Sequence, residues 1–277
     1  MTSSNTSQTL GAPSPEAPEV AARLLADAAL AAGDIALSRF RSPDLRIWNK
    51  QNDSPVTEAD MAVDAFLKER LQALAPTYGW LSEESIDSPA RLDSRRLWVV
   101  DPIDGTRSFM AGGDDWTVSI ALVEDGRPIA GVLYAPVTRE LFVASTGAGT
   151  TVNGTPVAVS PQAVLSGAAL SGPAFLLDRA AVSLPFVRRP RVRSLALRLA
   201  RVASGEVDVA LASANSYDWD IAAADILVRE AGGALTDYEG QVLRYNAPVP
   251  RHGPLVCAGL RLHAPMLDLA RSAFDAS

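Results

Sequence analysis

A strand-rich stretch between residues 116 and 160 restricts the fold more than any other part of the sequence. It contains four apolar segments, each bounded by Gly, Pro or Asn: WTVSIALVEDG, RPIAGVLYAPV, RELFVASTG and TTVNGTPVAVS. Short apolar runs separated by turn residues are typical of neighbouring strands, so the stretch predicts an antiparallel meander. The glycines of TGAGTTVNG lack the spacing of a dinucleotide-binding loop and favour a hairpin turn.

The pattern changes after residue 160, where short apolar segments alternate with helical ones. The strand-like segments are GAALSG, VDVALA, GALTDY and PLVCAGL, and the helical ones are LALRLARVASG, WDIAAADILVREAGG and PMLDLARSAF. Before the meander, residues 19–40 and the segment from Thr57 to Pro76 predict two helices, and WLSEES and RLWVVDPIDGT predict buried strands. The sequence therefore predicts an α+β N-terminal half, residues 19–160, and an α/β C-terminal half, residues 161–277.

Composition limits where such a protein works and what it binds. Residues 1–18 are rich in Ser, Thr and Pro and lack the basic start and apolar core of a signal peptide, so they predict a disordered tail. No apolar window approaches the length of a membrane span. The single cysteine, Cys257, lies in the apolar run PLVCAGL and is expected to be a buried structural thiol. We expect a cytoplasmic protein.

The charge balance is acidic. The chain has 25 Lys plus Arg against 32 Asp plus Glu, a net charge of −7. This balance argues against a general surface for nucleic-acid polymers or anionic membranes. An anionic substrate would therefore need local cations.

Acidic residues stand at the ends of several predicted elements, where their side chains can point into one cleft. They are Asp60 in VTEAD, Glu83 and Glu84 in SEES, Asp101 and Asp104 in DPIDGT, and Asp218 and Asp220 in YDWDIAAAD. Packed together, these carboxylates would repel one another. A hard cation with oxygen ligands relieves the repulsion, and Mg²⁺ is held by a few carboxylates while it keeps waters and substrate oxygens. The Gly-Thr pair after Asp104 offers N–H donors suited to a phosphate.

Several of these residues also have a plain structural interpretation. Asp60 is at the correct spacing to cap a helix with Thr57, and Asp220 would favour the first turn of its helix through the helix dipole. Glu84 is interpreted as a solvated or supporting residue rather than a ligand. The two histidines, His252 and His263, are expected in solvent or loops, so the sequence offers no Ser-His-Asp arrangement.

Four motifs occur in an order that resembles the inositol monophosphatase superfamily of Mg²⁺-dependent phosphomonoesterases. They are SPVTEAD (54–60), LSEES (81–85), WVVDPIDGTRSF (98–109) and DWDIAAADILVREAGG (218–233). The resemblance implies a layered α-β-α-β-α sandwich with the active site between a metal-binding N-terminal half and a C-terminal half that completes it. It also implies a homodimer and inhibition by lithium.

The resemblance assigns roles to residues of these motifs. One metal would be bound by Glu83, Asp101 and the backbone carbonyl of Ile103, and a second by Asp101, Asp104 and Asp220, among two or three Mg²⁺ ions in all. Asp60 and Thr106 would orient the attacking water and help to deprotonate it, with Glu83 as a further catalytic residue. Gly105, Thr106 and Asp220 would contact the substrate.

Within the superfamily, the chain is most similar to the 3'(2'),5'-bisphosphate nucleotidase branch. The similar segments are NDSPVTEAD, LSEES, GRPIAGVLYAPV and GQVLRYNAP. The substrate implied is a small phosphorylated metabolite, adenosine 3',5'-bisphosphate, whose 3'-phosphate is removed by a metal-activated water. Arg198 stands where that branch tends to carry a lysine, which implies a contact with a second phosphate. The alternative for Arg198 is a solvated helix residue.

Other substrates and one other class of protein stay open. The run from Ser194 to Arg198 lacks the Gly-Ser-Ser of the nucleotidases, and DPIDGTRSF is closer to the inositol phosphatases. Ser213, however, stands where those enzymes place an acidic sugar contact. Inositol-1-phosphate and histidinol or sugar phosphates are therefore alternative substrates. A metal- or phosphate-binding module without turnover is a third hypothesis, which the presence of Asp60 and Thr106 disfavours.

Overall fold

In the part of the chain that the structure describes, seven helices and two large β-sheets are arranged in five layers. The computed structural model describes residues 15–50 and 55–274, so the predicted disordered tail falls almost entirely outside the described residues, and the first helix begins at Pro18. The helices are α1 (Pro18–Leu37), α2 (Glu58–Leu74), α3 (Thr106–Met110), α4 (Ala174–Ala181), α5 (Leu195–Ala203), α6 (Asp218–Glu230) and α7 (Leu260–Phe274). A 3₁₀ helix covers Pro89–Asp93. No helix in the described part of the chain is both long and apolar enough to cross a membrane.

The first large sheet has seven strands in chain order, and all neighbours are antiparallel except the first pair. The strands of this sheet are β3 (Gly79–Ser82), β4 (Arg96–Asp104), β5 (Thr117–Glu124), β6 (Arg127–Ala135), β7 (Glu140–Ser145), β8 (Gly149–Val152) and β9 (Thr155–Val157). Two short strands that precede them in the chain, β1 (Ile47–Asn49) and β2 (Pro55–Thr57), form a separate ribbon. The predicted meander is confirmed. Asn153 and Gly154, both at positive φ, form the predicted hairpin turn between β8 and β9.

The second large sheet has five strands in the order β11-β10-β12-β16-β14. These strands are β10 (Ala169–Ser171), β11 (Val187–Arg188), β12 (Val209–Ala212), β14 (Gly233–Asp237) and β16 (Leu255–Gly259), and a small ribbon pairs β13 (Ser216–Tyr217) with β15 (Arg251–His252). The two strands on either side of β10 run parallel to it, whereas β16 runs antiparallel to both of its neighbours, β12 and β14.

The layers follow from strands that are apolar on both faces. In β5, Val118, Ile120 and Leu122 join the core beneath α1 and α2. Ala121 and Val123 point to the other side, into the core that the first sheet shares with α5 and α6. A third core lies between the second sheet and the helices α4 and α7. The expected α-β-α-β-α sandwich is therefore confirmed, and Cys257 is fully buried in it, as predicted.

Helix α6 lies unusually close to the first sheet at Gly131. A Cβ atom on Gly131 would be 2.5 Å from Cγ2 of Ile226 and 3.0 Å from the carbonyl oxygen of Ala223. The run of alanines in DIAAAD permits this approach because small side chains let the helix backbone reach the strand. The contact holds α6 against the sheet that contains β4.

We therefore expect Gly131→Ala to lower the free energy of unfolding by about 1–3 kcal/mol, since the methyl group would have to push α6 away. Urea unfolding monitored by circular dichroism measures this loss. Gly253→Ala is the matched control, because Gly253 has no atom within 4 Å of its Cβ position and should change stability by less than about 0.5 kcal/mol. Equal stability of the two variants would contradict this account of the helix contact.

Candidate active site

The end of β4 forms the centre of the site because its pairing with β5 is interrupted. The register shifts between Asp101 and Asp104. Pro102 has no N–H, and the N–H of Ile103 donates to Oδ1 of Asp101 at 3.0 Å instead of to a neighbouring strand. Gly105 then turns the chain at φ 95°, and a Cβ there would be 3.0 Å from the carbonyl oxygen of Asp115. The motif is therefore a turn that presents its carboxylates on one side.

Three of the predicted ligands meet at this turn. Asp101, Asp104 and Asp220 each place a carboxylate oxygen within 4.8 Å of the others. Asp220 is brought in by the first turn of α6, where its Oδ2 accepts a hydrogen bond from the N–H of Tyr217 at 2.6 Å. Both interpretations of Asp220 therefore hold, since it caps the helix and joins the cluster. Glu83 follows β3, and its N–H donates to the carbonyl of Val100 at 3.3 Å.

Burial and mutual repulsion disfavour the charged form of these groups. Burial raises the pKa of Asp101 and of Asp220 well above the usual value, and the neighbouring carboxylates add to the shift, with Glu83 acting on both. Burial also raises the pKa of Asp104 to about 6, although hydrogen bonds from Ser194 and the start of α5 oppose the shift. Asp101 forms no ion pair with any described residue, so no side-chain cation offsets the repulsion that it experiences from the neighbouring carboxylates.

The donor atoms fit a hard divalent cation. Oδ2 of Asp101 is buried and has no hydrogen-bond partner, which leaves one oxygen free to bind an ion. The cluster offers carboxylate oxygens, and the nearby carbonyl of Ile103 adds another oxygen. Oxygen ligands of this kind are those that Mg²⁺ takes in proteins.

Asp60 caps a helix, as its spacing from Thr57 predicts, and also contacts Thr106. Its Oδ2 accepts from the N–H of Thr57 at 2.8 Å and from Oγ1 of Thr57 at 2.5 Å, and these bonds complete a capping box on α2. Its Oδ1 accepts from Oγ1 of Thr106 at 3.3 Å. Burial raises the pKa of Asp60 to about 6, so this carboxyl can exchange a proton near neutral pH.

Lys50 is a functional candidate that sequence reasoning missed. Its Nζ lies 2.9 Å from Oε1 of Glu83 and 2.7 Å from Oε1 of Glu84. Glu84 was expected to be either solvated or supporting; its side chain is only 3% exposed and pairs with Lys50, so it is not solvated and fits the supporting alternative. Burial, followed by the charge of Glu83, raises the pKa of Glu84 to about 7. The available signal was that Lys50 is one of two lysines in the chain and stands shortly before SPVTEAD.

A second missed residue, Asp64, supports the segment that contains Glu83. Asp64 is buried one turn after Asp60 on α2, and it accepts from the hydroxyls of Ser82 at 2.5 Å and Ser85 at 2.8 Å. These serines flank Glu83 and Glu84. The signal was the spacing of Asp60 and Asp64, which places both carboxylates on one face of a helix.

The start of α5 holds Asp104 in place. Oγ of Ser194 donates to Oδ2 of Asp104 at 2.5 Å, and the N–H of Ala196 donates to the same atom at 2.7 Å. Ser194 also caps α5 by accepting from the N–H of Leu197 at 2.9 Å. The run that lacks the Gly-Ser-Ser of the nucleotidases therefore still reaches the acidic cluster.

The pocket above the cluster has an acidic floor and a basic rim. Its volume is about 390 Å³, and its lining includes Glu83, Asp101, Asp104, Gly105 and Thr106. Three exposed arginines, Arg107, Arg191 and Arg193, also line it, and none of them forms an ion pair within residues 15–50 and 55–274. The rim supplies the local cations that an anionic substrate needs.

Three basic residues are placed differently from their sequence interpretation. Arg198 is only 9% exposed, so the alternative of a solvated helix residue is wrong, and it lines a neighbouring cavity rather than this pocket. His252 lies in β15 with its Nε2 2.7 Å from Oδ1 of the buried Asp218, and His263 lies in α7. The expectation that both histidines are loop or solvent residues is therefore wrong. Asp218 therefore binds His252 of β15 and is not a member of the cluster formed by Asp101, Asp104 and Asp220.

The raised pKa values predict how the metal-free protein responds to pH. A carboxyl with a raised pKa binds more protons in the folded than in the unfolded chain, so its favourable contribution is present near pH 4 and is lost as the pH rises through the folded pKa. For Asp60 and Asp104, each raised from 3.8 to about 6, the loss reaches up to about 3 kcal/mol per group by pH 8. Urea unfolding in a chelator should therefore show lower stability at pH 8 than at pH 5.

Asp101→Asn is the comparison for this pH experiment. It removes one charge from the cluster and keeps an oxygen that can accept from the N–H of Ile103, so stability should fall less with pH than in the wild type. A fall of equal size in both proteins would show that the cluster does not cause it.

Comparisons with known proteins agree with this geometry. Residues 18–272 match the inositol monophosphatase family. The chain is 39% identical over 221 residues to a histidinol-phosphatase of Mycobacterium tuberculosis, covering 76% of this chain and 84% of that protein. It is 31% identical over 222 residues to the 3'(2'),5'-bisphosphate nucleotidase CysQ of Haemophilus influenzae, covering 76% and 82%.

The fold is also similar to that of solved structures. The structure of an IMPase from Thermotoga maritima superposes with a TM-score of 0.81 at 26% identity, covering 91% of this chain and 97% of that one. With a family match over nearly all described residues and a buried oxygen cluster at its centre, the chain belongs to the inositol monophosphatase family of metal-dependent phosphoric monoester hydrolases.

Proposed function

We propose that the protein is a Mg²⁺-dependent phosphomonoesterase that removes the 3'-phosphate of adenosine 3',5'-bisphosphate or a closely similar bisphosphate nucleotide. The observation that carries the proposal is the pairing of an acidic floor with three unpaired arginines on the rim of the same pocket. The floor suits metal ions together with the phosphate that is cleaved. The rim suits an anionic group that is not cleaved.

The rim arginines discriminate between the substrates that the sequence left open. Inositol-1-phosphate has no second anionic group for Arg191 and Arg193 to bind. Histidinol phosphate carries an ammonium group, which the same side chains would repel. A bisphosphate nucleotide has a second phosphate, and guanidinium groups bind phosphate through paired, charge-assisted hydrogen bonds.

Histidinol phosphate is the second candidate. It is favoured by the 39% identity to the histidinol-phosphatase of Mycobacterium tuberculosis, which exceeds the 31% identity to the bisphosphate nucleotidase. Both candidate substrates would use the same metal cluster. They differ in the charge of the group that the rim arginines would contact.

The side chains divide the work of hydrolysis. Glu83, Asp101, the carbonyl of Ile103, Asp104 and Asp220 would hold two or three Mg²⁺ ions. When bound, Mg²⁺ supplies positive charge that neutralises the phosphate oxygens and lowers the pKa of a coordinated water. Oγ1 of Thr106 can donate to Asp60 or to the carbonyl of Ile103, which lie 3.3 and 3.1 Å away. Thr106 and Asp60 would thereby orient the attacking water and take up its proton.

The substrate contacts complete the proposal. Gly105 and Thr106 lie at the start of α3, where backbone N–H groups have no partner inside the helix and can donate to the phosphate. Asp220 and Arg198 remain proposed substrate contacts. Cytoplasmic location, a homodimer and inhibition by lithium stay predictions of the family resemblance.

Phosphate release in the presence of Mg²⁺ tests the substrate. We expect the largest kcat/KM for adenosine 3',5'-bisphosphate among a set that includes adenosine 3'-monophosphate, inositol-1-phosphate and histidinol phosphate. Excess chelator should abolish turnover. A clear preference for histidinol phosphate would overturn the main proposal in favour of the second candidate, and turnover unaffected by chelation would overturn the metal mechanism.

Removing the rim charges tests the observation that carries the proposal. The double variant R191Q/R193Q should lower kcat/KM for the bisphosphate about 10- to 100-fold, because hydrogen bonds to charged groups are lost. The loss for adenosine 3'-monophosphate should be less than about threefold. Arg188→Gln is the matched control, since Arg188 pairs with Asp178 and does not line the pocket. Equal losses for both substrates would contradict a rim that binds the second phosphate.

A further inference from the structure

A second cavity lies beside the active-site pocket and shares a wall with it. Its volume is about 380 Å³. Arg189, Pro190 and Val192 line this cavity, whereas Arg191 and Arg193 line the active-site pocket. Segment 189–193 therefore lies between the two spaces and contributes side chains to both.

Two buried polar side chains in the cavity lack partners. Arg198 is 9% exposed, and its Nε is buried without a hydrogen bond; Ser171 is 1% exposed, and its Oγ is also unpartnered. Arg198 forms no ion pair with any of the described residues. Burying a guanidinium without an anion is costly, so native structures pair such groups or give them a ligand.

Comparison with the other well-buried arginines shows that Arg198 is unusual in this chain. Arg91 is 3% exposed and makes two hydrogen bonds to the carboxylate of Asp87, at 2.6 and 2.9 Å. Arg201, which also lines the cavity, pairs with Glu140 and Glu206. Arg201 thus has two ion-pair partners, whereas Arg198 has none among the described residues.

The remaining charges of the cavity are positive. Glu206 is engaged by Arg201 at 2.7 Å, and Arg189 is exposed and has no ion pair among the residues described. Burial lowers the pKa of the Arg198 guanidinium and the charge of Asp104 raises it, but arginine stays protonated in proteins. Within the described residues, neither the Arg189 nor the Arg198 guanidinium forms an ion pair, and the buried Nε of Arg198 and Oγ of Ser171 have no hydrogen-bond acceptor.

We propose that this cavity binds an oxyanion, a phosphate or sulfate group, through the guanidinium of Arg198 and the hydroxyl of Ser171, with Arg189 adding positive charge. Guanidinium groups match the paired oxygens of such anions. The oxyanion is either a free ion or the uncleaved phosphate of a bisphosphate substrate, and the two sources have the same chemistry. The second source rests on the proposed function and would place that phosphate in this cavity instead of on the rim.

Binding there would also stabilise the wall of the active site. Segment 189–193 leads directly into Ser194, which donates to Asp104. The N–H of Arg198 donates to the carbonyl of Ser194 at 3.2 Å, so Arg198 lies one helical turn from the residue that holds the acidic cluster. An anion on Arg198 would order the same segment from the opposite side.

Sulfate binding to the metal-free protein tests the proposal, because it requires neither Mg²⁺ nor turnover and so fails or succeeds independently of the proposed function. In excess chelator and at constant ionic strength, calorimetry should show saturable sulfate binding, and sulfate should raise the unfolding temperature more than chloride does. Arg198→Met should weaken sulfate binding at least about tenfold, and Ser171→Ala a few-fold. The rim variant R191Q/R193Q is the matched control and should keep the site.

Two outcomes would overturn the proposal. One is the absence of sulfate-specific binding in the wild type. The other is sulfate affinity that is unchanged in both Arg198→Met and Ser171→Ala but lost in R191Q/R193Q, which would place the anion on the rim. Arg198→Met is expected to fold, because it removes an unpaired buried charge, and Ser171→Ala provides an independent variant.

Steady-state kinetics then distinguish the two sources. If Arg198→Met raises KM for adenosine 3',5'-bisphosphate but not for adenosine 3'-monophosphate, the oxyanion is the second phosphate of the substrate. If the two KM values change together while sulfate affinity falls, the oxyanion is a free ion.

Discussion

Repulsion among buried carboxylates at the end of β4 is the constraint on which this structure depends. Asp101, Asp104 and Asp220 place oxygens within 4.8 Å of one another, and Glu83 adds a fourth negative charge nearby. Such an arrangement persists only if the surrounding fold enforces it and an external positive charge relieves it. The first sheet contributes Asp101 and Asp104, and α6 brings Asp220 from the C-terminal half. The close packing of α6 on β6 is therefore a requirement of the site as well as of the core.

The chemistry follows from how opposite charges are distributed over one small volume. The chain as a whole carries a net charge of −7, yet three unpaired arginines surround the acidic floor. Cations at the floor must come from solution as metal ions, whereas the rim cations belong to the protein. On the proposed function, this division would separate the binding of the phosphate that is cleaved from the binding of the phosphate that stays. Segment 189–193 extends the basic surface into the second cavity, where Arg198 lies.

Much of the fold was predictable from the sequence. The meander, the alternating strands and helices after residue 160 and the hairpin at Asn153 were predictable because turn residues and apolar runs mark them locally in the sequence. The four motifs located the cluster because each carboxylate stands at the end of an element. Lys50, Asp64 and Ser194 were missed because their partners are distant in sequence, and the signals that mark Lys50 and Asp64 do not indicate which residues they contact. Arg198 was open to a wrong interpretation because its burial arises from tertiary packing, which the pattern of one helix does not reveal.

Direct measurement of Mg²⁺ binding tests the central claim that the cluster is a metal site. Calorimetric titration of the wild type should show saturable uptake of Mg²⁺, and Asp101→Asn should weaken it at least about tenfold, because the variant loses a charge and the free oxygen at the centre. Asp125→Asn, at an exposed turn outside the cluster, should bind as the wild type does. A wild type that takes up no Mg²⁺, or an Asp101→Asn variant with unchanged affinity, would contradict the account.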